Sequence, residues 1–154
     1  MTDALARRTL EAPADDQAIE DLHELIDQLW LDAEFVPAMD QMAFTTAVIE
    51  AASNVVQHGV PAEGATLHLG VELTVESERL RAVISEIGAA ALDPAPDLDG
   101  PLSPPAEIDD SFLGDFDESG RGMAIIRALV TTVTVERQGE TNVWVLSRDS
   151  GPGA

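Results

Sequence analysis

Glu50, Asn54 and His58 follow one another at four-residue spacing in TTAVIEAASNVVQHG, residues 45–59. Four residues is slightly more than one helical turn, so the three side chains form a slowly drifting polar ridge on one helix. Ala47, Val48, Ala51, Ala52, Val55 and Val56 run beside that ridge as the makings of a buried face. A carboxylate on a mostly buried helix is costly unless it is paired, hydrogen-bonded or used on a ligand. Two further stretches carry residues suited to ligand chemistry. One is SEIGAAALDP at 85–94; the other is ESGRGMAIIRALV at 118–130, where glycines open an apolar-periodic run. Glycine lets the backbone come close to a ligand, and a helix N-terminus presents unpaired N–H groups to an anion. Taken singly, the first stretch reads better as a solvated helix face and the third as a flexible hinge.

The elements that must position these residues follow from periodicity. Residues 9–12 read as a short first strand before the turn-prone PADD at 13–16. Ile19, Leu22, Leu25, Ile26, Leu29 and Trp30 then recur at helical spacing, with Asp15 or Asp16 as N-cap. Pro37 breaks the chain, residues 38–59 form the second helix, and Gly59 with Pro61 stops it. Residues 66–75 and 80–87 alternate as two antiparallel strands. Residues 89–119 hold five Pro, two Gly and nine acids with no basic residue, which predicts a long irregular loop. A helix over 120–129 and strands over 130–137 and 141–147, joined by a turn at 138–140, complete the chain. The order strand, two helices, two strands, loop, helix, two strands predicts an α+β two-layer sandwich, with the helices on one face of a mixed, mainly antiparallel sheet. There is no βαβ alternation and no GxGxxG, so a Rossmann arrangement is excluded.

Composition narrows the class. The 154 residues suit one domain, expected over 1–154 with its core at about 8–148. Without cysteine there is no disulfide, thiolate metal site or thiol nucleophile. No apolar run approaches the ~20 residues that span a membrane, and the start MTDALARRTL lacks a signal-peptide core. A cytoplasmic protein with no membrane role is the expectation. The charge is unusual: 29 acids stand against 8 basic residues, all arginine, for a net −21. Such a field repels nucleic acid and anionic membranes; it favours partners with basic surfaces, and it equally serves solubility or a salt-adapted proteome.

The three stretches together, in this order and spacing, resemble the N, G1 and G2 boxes of the GHKL superfamily of ATP-binding proteins. The likeness is greatest to the anti-sigma factor serine/threonine kinases, the small single-domain branch. Glu50-Ala-x-x-Asn54-x-x-x-His58-Gly59, Gly120-Arg121-Gly122-Met123-x-Ile-Ile-Arg-x-Leu-Val and the Glu136-Arg137 pair before a glycine turn are all typical of that branch. The resemblance implies a Bergerat-type sandwich with residues 89–119 as the ATP lid. It implies Glu50 as general base towards a serine hydroxyl, a task that needs hydrogen-bond reach. It implies Asn54 as an oxygen ligand of Mg²⁺. Glu86, Gly88 and Ala90 fall at the adenine-binding positions, and Gly120, Arg121, Gly122 and Met123 at the phosphate end. His58 is left out of the expected site as a residue near a helix C-terminus. The implied partners are a sigma factor, held by partner switching, and an anti-anti-sigma (STAS-type) protein phosphorylated on serine or threonine. Dimers are common in the branch, although no residue of this chain shows one. Two departures stand out. Where the family has aspartate and glycine, this chain has Glu86 and Ala90, and the extra methylene of glutamate moves its oxygens by over an ångström. Where relatives often carry a basic residue before the G2 glycines, it has Asp117 and Glu118. Both suit an alternative reading, a binding module with weak or no nucleotide binding that regulates without phosphotransfer.

Overall fold

The computed structural model describes residues 4–92 and 118–150, and in the last helix the side chains from 122 onward. Most of the expected lid, residues 93–117, lies outside the described residues. The chain runs β1 (Ala6–Pro13), α1 (Asp16–Asp32), α2 (Ala38–His58), β2 (His68–Val75), β3 (Arg79–Ile87), α3 (Glu118–Leu129), β4 (Thr132–Gln138) and β5 (Thr141–Asp149). Among the described residues the three helices lie on one face of a five-stranded sheet of order β1-β2-β3-β5-β4, antiparallel at every pairing. Three of those four pairings join consecutive strands; β5 enters between β3 and β4.

Alternation decides which sheet face is buried. Leu69, Val71, Leu73 and Val75 of β2 and Leu80, Ala82, Ile84 and Glu86 of β3 all point towards the helices. Against them lie Leu22, Ile26 and Leu29 of α1, Phe44, Val48 and Val55 of α2, and Ile126 of α3. The outward face is open, with a shallow depression over Gly70 bordered by Thr9, Glu11, Ser85 and Ile87. At the β2–β3 turn Arg79 Nε donates to Glu76 Oε2 at 2.7 Å, and that bond holds the Glu76 carboxyl below its ordinary range.

Local chemistry sets the ends of the helices. Asp15 caps α1, its Oδ1 accepting from the Ala18 amide at 3.0 Å, so of the two expected aspartates the earlier one serves. Pro37 precedes α2, whose N-terminus has no side-chain cap among the described residues; Gln41 Nε2 of its first turn donates back to the Val36 carbonyl. At the far end a side chain on Gly59 would run into the Val55 carbonyl and Leu67, so only glycine lets the chain leave α2 that closely. Trp30 ties α1 to α2 through Nε1 donating to Thr45 Oγ1 at 2.9 Å and an edge-on contact with Phe44. β1 is longer than the expected 9–12, because Ala6, Arg7 and Arg8 also pair with Val75, Thr74 and Leu73 of β2, while the exposed guanidinium heads of the two arginines meet Glu72 and Asp32.

One polar cluster fastens the layer opposite the site. Arg148 of β5 reaches Asp40 in the first turn of α2 at 2.9 Å and donates from Nη1 to the Leu129 carbonyl at the end of α3 at 2.6 Å. Ser150 Oγ donates to the other Asp40 oxygen at 2.8 Å. A single guanidinium thus joins sheet, α2 and α3, and it also meets the carbonyl end of a helix, where a cation is favoured. Arg148→Ala is expected to lower stability by about 1–3 kcal/mol, since it strands a partly buried carboxylate and a helix-end carbonyl. Urea unfolding of the variant measures this.

Candidate functional site

The long α2 carries its buried side on small residues: Ala43, Ala47, Ala51 and Ala52 alternate with Phe44, Val48 and Val55. Small side chains let the helix lie close to its neighbours. Glu50 and Asn54 sit at the margin of that face, both half-buried and one turn apart. Among the described residues neither makes a hydrogen bond or ion pair, so a carboxylate and a carboxamide stand side by side with their polar heads uncommitted. His58 lies one turn further on, exposed in the last turn of α2.

α3 closes on this ridge. A Cβ built on Gly122 would stand 2.9 Å from Asn54 Nδ2 and 3.0 Å from Oδ1. Gly122 is therefore the point at which α3 touches the Asn54 head, and the missing side chain is what lets the two helices meet there. The helix starts at Glu118, two residues before the expected Gly120. By helical geometry the unpaired amides of the described helix then belong to residues 118–120, while the Arg121 and Gly122 amides turn inward to the helix. Gly120 thus supplies one of the free N–H groups and Arg121 does not, whereas the role of Gly122 is steric. Met123, expected beside them, packs partly buried against the core.

The third expected group lies across the sheet. Gly88 adopts φ +74°, and a side chain there would come within 2.8 Å of the Thr66 carbonyl, so glycine is required on both counts. The segment after it is pinned by its own backbone: Gly88 O accepts from the Ala62 amide, Ala89 N donates to Glu140 O, and Ala90 N donates to Val60 O at 2.7 Å. These bonds occupy the Ala89 and Ala90 amides, so this stretch forms a wall and offers no cradle for phosphate.

Glu86 is 6% exposed on the helix-facing side of β3, opposite Asn142 in the sheet register. Its Oε1 accepts from Trp144 Nε1 at 2.9 Å and its Oε2 from Asn142 Nδ2 at 3.1 Å. Asn142 Nδ2 also donates to the Ala90 carbonyl at 2.9 Å. Arg137 Nη1 completes the relay, donating to Asn142 Oδ1 at 3.0 Å and to Ala89 O at 2.7 Å. The buried carboxylate is thus compensated by two direct donors and, one residue removed, by a guanidinium. The extra methylene noted in the sequence has a use here, since it lets the carboxylate reach side chains on the neighbouring strand. Asn142, Trp144 and the bonding role of Arg137 escape sequence reasoning. The signal was slight, a polar and an aromatic residue on the inward side of the last strand.

No cluster of three or more metal-binding side chains occurs among the described residues. A lone carboxamide oxygen beside a helix N-terminus, an end that favours anions, still fits a hard cation that keeps most of its waters and shares phosphate oxygens. No helix is long and apolar enough to cross a membrane among the described residues.

Comparison with known proteins follows this geometry. The family profile described as histidine kinase-like ATPase domain matches residues 12–148. No curated protein matches. Ten solved chains do. One is the crystal structure of the RsbU and RsbW domains of Rv1364c from Mycobacterium tuberculosis, at 16% identity and TM-score 0.56. The match covers 95% of this chain but only 33% of that one, so the likeness is of fold.

Gly122→Ala tests the contact between α2 and α3. Helix propensity gains about 1 kcal/mol, and the methyl meets only the end of a side chain that can swing. The unfolding midpoint is therefore expected to stay near that of the parent while the Asn54 side-chain amide signals shift strongly in NMR spectra. Unmoved Asn54 signals would mean that the helices do not meet there.

Proposed function

The chain belongs to the histidine kinase-like ATPase domain family, and we propose that it is an anti-sigma regulatory factor that binds Mg²⁺–ATP and phosphorylates a serine or threonine of an antagonist protein. The observation that carries this reading is the packing of Gly122 on the Asn54 carboxamide, which sets the N-terminal turn of α3 beside Asn54, one turn along α2 from Glu50. The RsbW domain in the named structural neighbour supports the same branch.

Bound Mg²⁺–ATP supplies the transferable γ-phosphoryl group and the charge neutralisation that such a transfer requires. The residues of this chain do the positioning. Asn54 would hold the cation through its carboxamide oxygen, and the N-terminal amides of α3, that of Gly120 among them, would hold phosphate oxygens, with Arg121 at the same end. Glu50 takes the proton of the attacking hydroxyl at a carboxylate oxygen. Gly88 and Ala90 would wall the base end, and Glu86 would accept from the base with whatever capacity Trp144 and Asn142 leave it. The lid, the sigma factor and the STAS-type antagonist complete the proposal. The charge of −21 suits capture of a basic, DNA-binding partner.

A second reading has one observation in its favour. Both Glu86 oxygens already accept from β5 side chains. A carboxylate so engaged reads an adenine amine poorly, and the chain would then act as a binding module without phosphotransfer.

Glu50→Ala separates the two. With a STAS-type antagonist and Mg²⁺–ATP, the parent chain is expected to add phosphate to a serine or threonine, seen by mass spectrometry. Glu50→Ala is expected to lose at least about a hundredfold in that rate, the usual contribution of a positioned base, while keeping its affinity for ATP. No transfer by the parent chain supports the binding module. Full transfer by the variant removes Glu50 from the chemistry.

A further inference from the structure

Among the described residues six large apolar side chains are conspicuously exposed, and four of them fall within residues 31–42, at the elbow where α1 turns into α2. Leu31, Phe35, Met39 and Met42 are 71%, 60%, 73% and 67% exposed. Single exposed apolar residues need no explanation, but a group at one place on a highly charged chain does. The fold does not call for them. Ala33 and Val36 of the same turn point inward, and Leu29 and Phe44 on either side are fully buried. Met39 and Met42 stand three residues apart and so share one side of α2. Methionine is unbranched and adaptable, which suits a surface that must accept an apolar partner.

The surroundings choose the partner. Glu24 and Asp27 on the exposed side of α1 and Glu34 in the turn are exposed, and none makes a hydrogen bond or ion pair among the described residues. The two arginines at this end are engaged, Arg8 by Asp32 and Arg148 by Asp40. An apolar centre with an uncompensated acidic rim is left facing solvent. An anionic lipid surface would be repelled by that rim. A second copy of this chain, with 8 arginines against 29 acids, offers little to neutralise it. We propose that the elbow docks a basic amphipathic segment of a protein partner. Its apolar side chains lie on Leu31, Phe35, Met39 and Met42, and its Lys or Arg side chains meet Glu24, Asp27 and Glu34. The elbow lies roughly 20 Å along α2 from Asn54, by the rise of a helix. The docking site therefore stands whether or not the far end of α2 holds a nucleotide.

The test is fluorescence anisotropy of a labelled synthetic Leu/Lys amphipathic helical peptide titrated with the intact protein at physiological salt. A peptide of equal charge with every Leu replaced by Ser is the control. The Leu peptide is expected to bind at least about tenfold more tightly than the Ser peptide, a difference of about 1.4 kcal/mol. The double variant Met39→Gln/Met42→Gln should remove that advantage, whereas Val60→Gln, at an exposed apolar residue outside the elbow, should keep it. Circular dichroism shows whether the double variant folds. Asp27→Lys/Glu34→Lys is a second variant and should weaken binding of both peptides. Equal binding of the two peptides, or an advantage that survives Met39→Gln/Met42→Gln, would show attraction by bulk charge alone and overturn the proposal. So would a concentration-dependent dimer in sedimentation that the same double variant abolishes, because the elbow would then be occupied by a second copy.

Discussion

The contact between Gly122 and Asn54 is the constraint on which the site depends. Two helices from distant parts of the chain meet at a carboxamide, and the missing side chain at 122 leaves the Asn54 head in place against α3. That approach puts the N-terminal turn of α3 beside Asn54, with Glu50 one turn further along α2. Any larger residue at 122 pushes the Asn54 head aside before it disturbs the core. Small residues along α2 and the Arg148 link to Asp40 and Leu129 hold the two helices in register from the other end. The same geometry is therefore fixed at one end by close packing and at the other by charge.

The sheet supplies the second fixed wall. Inserting β5 between β3 and β4 puts Asn142 and Trp144 beside Glu86, and Arg137 of β4 beside Asn142. A buried carboxylate thereby becomes part of a hydrogen-bonded relay that also grips the carbonyls of Ala89 and Ala90. The relay stabilises the wall and also spends accepting capacity that a bound base would use.

How much of this could be read from the sequence follows from how local each signal is. α1 and α2 were legible because their apolar spacing repeats over several turns. The ridge of Glu50 and Asn54 was legible for the same reason. β1 was read too short because two arginines at its start disguise a strand whose charges are neutralised by Glu72 and Asp32, far away in sequence. The start of α3 was placed two residues late because Ser119, Gly120 and Gly122 are poor helix formers taken alone. The Glu86 relay was illegible, since strand order and register depend on pairing across the whole chain. The elbow was equally hidden: nothing in the sequence separates Val36, which is buried, from Phe35, which is exposed.

In the proposed function α2 and α3 together make a nucleotide site. The deciding experiment is calorimetric titration of the purified chain with ATP and with GTP, each with and without Mg²⁺. Saturable binding that requires Mg²⁺ and prefers ATP is expected. No binding up to millimolar nucleotide would contradict it and leave the chain as a protein-binding module, with the engaged oxygens of Glu86 as the physical reason.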